Sequence, residues 1–124
     1  MTPGYAAMRR GRVSAPGAEY FVTFCTEQRK EGLTAATCAD ALLAELEAMA
    51  TEQVVEVRCV TIMPDHVHAL LRLRGKLPLG RVVARWKART RTTLSQAGLS
   101  WQAGFHEHRL RDGESRLSFS SMSS

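Results

Sequence analysis

Thr61-Ile62-Met63-Pro64-Asp65-His66-Val67-His68-Ala69-Leu70-Leu71-Arg72-Leu73 sets the frame for the rest of the chain. Pro64-Asp65 is a turn signal, because proline presets φ and aspartate hydrogen-bonds the backbone beyond it. The residues after it alternate as a strand. Val67, Ala69, Leu71 and Leu73 then share one face, and His66, His68, Leu70 and Arg72 share the other. Two imidazoles one pleat apart on the same face can both aim a ring nitrogen at a single divalent ion. An isolated His-x-His is weak evidence for such a site, since histidines on a half-exposed sheet face are commonly plain surface residues.

On the N-terminal side of the turn, Val54 to Ile62 is rich in β-branched residues and forms the other arm of an antiparallel hairpin with a strand over His66 to Arg74. Before it, Thr34 to Gln53 is helical, with Leu42, Leu43, Leu46, Met49 and Ala50 on one face. Thr37 with Asp40 three residues later resembles a helix-start pattern, so the helix begins at one of the two threonines, Thr34 or Thr37. Glu19 to Thr26 is the first strand, and Gln28 to Gly32 a charged loop. After the hairpin, Gly75 to Pro78 breaks the pattern and a second helix runs from Leu79 to about Gln96, capped by Gly98. Its apolar arc is Leu79, Val82, Val83, Trp86, Thr90, Leu94 and Ala97. Arg81, Arg85 and Arg89 flank one side of that arc, Lys87 and Arg91 the other, with no acidic residue among them. That pattern fits phosphate contact as well as a solvated charged face. A fourth strand is expected within Trp101 to Arg111, Phe105, Glu107, Arg109 and Arg111 alternating with His106, His108 and Leu110; Trp101 is expected to pack in the core. The order β-α-β-β-α-β predicts an α+β, ferredoxin-like antiparallel sheet with two helices on one face, the histidines lying on the open one.

The 124 residues fit one domain, read as 18–111 between a basic irregular arm (1–17) and a disordered serine-rich tail (112–124). A net charge of +5, from 17 Lys and Arg against 12 Asp and Glu, points toward a polyanionic partner. Cys25, Cys38 and Cys59 are odd in number, widely spaced and without a Cys-x-x-Cys pair, as expected of small buried residues in a reducing compartment. No apolar run follows Arg9, Arg10 and Arg12, and none approaches spanning length, so the expected location is the cytoplasm.

Taken together, these residues resemble the IS200-like single-tyrosine transposases, and more narrowly the REP-associated tyrosine transposases. The likeness runs from Arg9-Arg10-Gly11-Arg12, Pro16-Gly17 and Tyr20-Phe21-Val22-Thr23-Phe24 through Met63-Pro64-Asp65-His66-Val67-His68-Ala69-Leu70-Leu71. It continues through Trp86-Lys87 to Trp101-Gln102-Ala103-Gly104-Phe105-His106-Glu107-His108 and Arg111. The resemblance implies a histidine-hydrophobic-histidine nuclease on a ferredoxin-like sheet. His66 and His68, with a polar residue from a later helix, would hold a divalent metal against a phosphate of single-stranded DNA. Mg or Mn is the expected metal, with Zn and Co as further candidates. The implied reaction is endonucleolytic cleavage and joining through a 5′-phosphotyrosine, and the implied partner is single-stranded or hairpin DNA from palindromic repeats. Arg9, Arg10, Arg12, Arg72, Arg81, Arg85, Lys87, Arg89 and Arg91 are the expected nucleic-acid contacts.

One departure bears on activity. The family tyrosine follows the fourth strand, whereas the tyrosines here are Tyr5 and Tyr20, and Asp112 to Ser124 has none. The expectation is a chain truncated or frameshifted near Ser115 that binds DNA without forming the covalent intermediate by itself. The alternative, from a different class, is a non-enzymatic ferredoxin-like module whose open face binds a ligand or protein, with both histidines incidental.

Overall fold

The computed structural model of the protein describes residues 17–110. The tail expected over 112–124, the arm expected over 1–17 apart from Gly17, and Arg111 lie outside them. Seven elements follow in order: β1 (Glu19–Cys25), a short 3-10 turn (Glu27–Arg29), α1 (Ala36–Thr51), β2 (Val55–Met63), β3 (His66–Leu73), α2 (Leu79–Gln96) and β4 (His106–Arg109). The sheet order is β2-β3-β1-β4, with every adjacent pair antiparallel. This is the expected ferredoxin-like α+β arrangement.

Strand alternation decides the layering. Tyr20, Val22 and Phe24 of β1 and Val67, Ala69, Leu71 and Leu73 of β3 are buried in one core with Leu42, Leu46 and Met49 of α1 and Leu79, Val82, Val83, Trp86 and Leu94 of α2. Both helices therefore cover that face. Trp86 is the largest wholly buried side chain; its ring meets Phe24 edge-on at 5.0 Å between centroids, and its indole N–H donates to the Leu42 carbonyl at 3.0 Å. Thr90, also sealed, donates back to the Trp86 carbonyl and accepts the Trp101 indole N–H at 3.1 Å, so Trp101 closes the core edge as expected.

Several expectations need correction. Leu43 turns outward and is the one exposed large hydrophobic among the described residues, whereas Glu45 turns inward. The reason is Arg85. Its Nε donates to Glu45 at 2.6 Å and its two terminal nitrogens clasp Glu52, each at 2.9 Å, so the side chain ties α2 to α1. α1 begins at Ala36 behind Ala35, without a side-chain cap from either threonine. α2 ends as expected on Gly98 (φ +79), with Leu99 N–H reaching back to the Leu94 carbonyl. β4 spans only four of the residues allotted to it. Of the cysteines, all free, only Cys38 is buried; Cys25 is half-buried and Cys59 is exposed on β2.

Two outcomes follow. Trp86→Ala removes a buried aromatic and its hydrogen bond and is expected to cost about 3–5 kcal/mol in urea unfolding. The clasp by Arg85 holds the Glu52 carboxyl below its ordinary 4.5. A depressed carboxyl contributes stability that is full above the unfolded value and is lost as pH falls through the folded one. Thermal melts between pH 6 and pH 3 should therefore fall less steeply for Glu52→Gln than for the unsubstituted protein.

Candidate metal centre

The register of the sheet brings particular side chains together on its open face. Directly paired residues project to the same side. His68 of β3 stands opposite Thr23 of β1 and Thr61 of β2, and His106 of β4 stands on the far side of Thr23. One row along, Cys59, Leu70, Phe21 and His108 line up; at the near end His66 faces Met63 and Cys25. All four histidines of the chain thus lie on the uncovered side. The expectation noted the alternation of His106 and His108 without mapping it to this face, since only the pairing of β4 with β1 decides it.

His66 and His68 converge. Their Nε2 atoms lie 2.8 Å apart, with ring centroids at 4.4 Å and planes at 82°. Each outer nitrogen is already engaged: His66 Nδ1 with Asp65 Oδ1 at 2.7 Å, and His68 Nδ1 with Thr23 Oγ1 at 3.0 Å. Phe21 leans diagonally to stack on the His68 ring at 5.6 Å and 15°. Each imidazole is thereby fixed in position and rotation by a neighbour other than its twin.

The proton bookkeeping follows from those partners. An ionised carboxylate only accepts, so His66 Nδ1 carries the hydrogen and its Nε2 presents a lone pair. The short contact between rings is then a hydrogen bond from His68 Nε2–H to His66 Nε2, and Thr23 donates to His68 Nδ1. Thr23 can equally accept, so moving the His68 proton to Nδ1 keeps that nitrogen matched and turns both Nε2 lone pairs toward one point, where a cation would take the place of the lost hydrogen bond. Burial, and secondarily the adjacent His66, pushes the His68 pKa below 6.5, keeping that ring neutral at neutral pH. The hydrogen bond from His66 and then the one from Arg29 lower the Asp65 pKa, which keeps it ionised.

Two imidazoles with convergent Nε2 atoms and tethered outer nitrogens suit a divalent cation, a carboxylate-held histidine being a usual support for a metal ligand. These two side chains fit the metal that the resemblance implies. Among the described residues no group of three His, Cys, Asp or Glu gathers at ligating distance. A bound cation here would neutralise charge on a phosphoryl oxygen. The protein's own part is to hold both rings still.

The expected nucleic-acid contacts fall in four places. Arg9, Arg10 and Arg12 lie outside the described residues. Arg72 is on the open face, exposed, with its Nη1 3.9 Å from Glu56 in a cluster that also holds Arg58 and Arg74. Arg81, Arg89 and Arg91 are exposed on α2, in the helix layer across the sheet from the histidines. Arg85 and Lys87 are committed inside the fold. Arg85 spans Glu45 and Glu52, while Lys87 Nζ donates to the Gln102 and Gly104 carbonyls and sits 5.8 Å from the Phe24 ring, burial lowering its pKa. For these two the expected phosphate contact gives way to a structural one, because helical spacing cannot show what packs against a cation. Conversely, Thr23 and Arg29 carried no sequence signal, and Asp65 read only as a turn residue.

Fold and site together describe a split β-α-β domain with a histidine pair on its uncovered sheet face. The family model "Transposase IS200 like" matches residues 14–109, and the chain belongs to that family. Among solved structures, the REP-associated tyrosine transposase bound to a REP hairpin superposes with a TM-score of 0.68 at 19% identity, over 90% of this chain and 65% of that one. A candidate transposase from Deinococcus radiodurans R1 superposes with a TM-score of 0.65 at 22% identity, over 92% of each. The chain thus spans about two thirds of the hairpin-bound relative. No curated protein matches the sequence significantly. No helix among the described residues is long and apolar enough to cross a membrane.

If Asp65 and Thr23 orient the rings as described, Asp65→Asn and Thr23→Val should each weaken Mn²⁺ binding about tenfold. Titration followed by electron paramagnetic resonance measures the loss, and unchanged melting temperatures would assign it to the rings and not to the fold.

Proposed function

We propose that the chain is a DNA-binding member of its transposase family, acting on single-stranded or hairpin DNA of the palindromic-repeat kind through the open face of the sheet. His66 and His68 hold a divalent ion, Mg or Mn by preference, against a phosphate of the bound strand. The observation that carries this reading is the convergence of the two Nε2 atoms to 2.8 Å on an uncovered surface. A structural relative solved with a hairpin adds support for the partner. Arg72 lies on the open face, while Arg81, Arg89 and Arg91, exposed in the helix layer, and Arg9, Arg10 and Arg12 add long-range, sequence-independent attraction for a polyanion.

The family reaction needs a tyrosine oxygen to attack phosphorus. Tyr20 is 7% exposed and belongs to the core on the helix side, so the sheet itself separates its side chain from the histidine pair. On this reading Tyr20 is not the nucleophile and the chain by itself acts as a binder; Tyr5 lies outside the described residues.

Fluorescence anisotropy with a palindromic hairpin oligonucleotide should show binding that weakens steeply between 50 and 200 mM salt, as release of condensed counterions requires. The double variant His66→Ala/His68→Ala should lose Mn²⁺ binding while remaining folded. Retained ion affinity in that variant would refute the metal assignment. A covalent DNA adduct on a denaturing gel would refute the binding-only assignment.

A further inference from the structure

The loop between β1 and α1 does something its composition does not announce. Gln28 (φ 56, ψ 21) and Arg29 (φ 56) are consecutive non-glycine residues in the left-handed region, where an L side chain crowds its own backbone. The surroundings hold this shape in place. Thr26, wholly buried, gives its N–H to the Asp65 carbonyl at 2.9 Å and its hydroxyl to the Lys30 carbonyl at 2.7 Å. Gly32 and Leu33 both donate to the Pro64 carbonyl at 2.9 Å, and Lys30 Nζ reaches the Gly98 carbonyl at 3.0 Å. The loop is thus fastened onto the very turn that launches the histidine strand.

The result is the placement of one guanidinium. Arg29 Nε donates to Asp65 Oδ2 at 2.9 Å, using the carboxylate oxygen that His66 does not. Its Nη2 lies 3.4 Å from His66 Nδ1, near that nitrogen but not bonded to it, because Nδ1 already donates to Asp65. The side chain is 57% exposed, and among the described residues no further partner occupies Nη1 or Nη2. A guanidinium anchored through one nitrogen keeps two others in a rigid plane, a geometry suited to the oxygens of a phosphodiester. An extended charged side chain has many cheaper conformations, so a strained backbone that fixes it beside the ion ligands needs a reason.

We propose that Arg29 contacts a phosphodiester group of the DNA strand lying against His66 and His68, its Nη1 and Nη2 donating to the non-bridging oxygens. It does so from a position set by Asp65. The same carboxylate then orients an ion ligand on one oxygen and a phosphate-binding cation on the other. This rests on the open face being a DNA site, and it adds a substrate-contacting residue that helps select which linkage sits at the ion.

The test compares the full chain with Arg29→Gln and Arg29→Lys on a single-stranded oligonucleotide, a hairpin carrying an unpaired flank, and versions of each with one neutral methylphosphonate linkage walked along the unpaired segment. Arg29→Gln should bind the all-phosphate strand about tenfold more weakly, with a salt dependence shallower by about 0.7 in the log–log slope. Arg29→Lys should recover the slope but only part of the affinity, because a point charge replaces a fork. One methylphosphonate position should weaken the unsubstituted protein and leave Arg29→Gln unaffected. Mn²⁺ affinity should stay within twofold in both variants. Equal DNA affinity in Arg29→Gln and the unsubstituted protein would overturn the proposal, as would a parallel loss of Mn²⁺ affinity, which would make Arg29 a strut for Asp65. If the unsubstituted protein bound no DNA at all, the functional reading itself would fall.

Discussion

The constraint on which everything else depends is the two-residue period of β3. Val67, Ala69, Leu71 and Leu73 are sealed under the helices, and that burial forces His66 and His68 outward. Because the period is two, a slip of one residue would push both imidazoles into the apolar layer and expose four hydrophobic side chains. The hydrophobic effect therefore enforces the register of the site, and the site inherits its geometry from the core. The same register sets Thr23 opposite His68 and Phe21 in reach of its ring. Neighbouring strands thus complete what the period begins.

Rigidity here comes from saturation of hydrogen-bonding positions rather than from depth of burial. The two rings remain partly accessible, yet every nitrogen of the pair has a partner within 3.0 Å. Asp65 is the joint of this system, since one oxygen meets His66 and the other meets Arg29. Its backbone carbonyl is also gripped, by Thr26. The turn Pro64-Asp65 is consequently held from the loop side as well as from its own hairpin, and the histidine pair is braced from both.

Much of the fold was legible because it rests on periodicities within single elements. The alternation after Pro64 and the apolar arc of Leu79, Val82, Val83, Trp86, Thr90 and Leu94 both match what is buried. The histidine pair was legible for the same reason. What sequence could not show were relations between distant elements. Glu45 and Glu52 lie 40 and 33 positions from Arg85, and nothing in a helical projection of α2 contains them. Lys87 looks like a free cation until the carbonyls of Gln102 and Gly104 fold over it. Leu43 fits the apolar stripe of α1, but the interhelical ion pairs rotate that helix so that Glu45 is turned inward. Arg29 was invisible because its place beside Asp65 arises from a loop conformation that ordinary residue preferences disfavour.

The irregularity in β2, where Arg58 stands as an extra residue between Val57 and Cys59, gives the open face a polarity. Arg58 leans over the sheet to Glu19 on β1 and also meets Glu56, which lies within 3.9 Å of Arg72 and 3.7 Å of Arg74. At that end three guanidiniums and two carboxylates occupy one another. At the other end a single guanidinium–carboxylate contact stands beside two imidazoles. The two ends of one flat surface thus differ far more in the donor chemistry they offer than in net charge, so what each can grip is decided by ring nitrogens at one and by interlocked ions at the other.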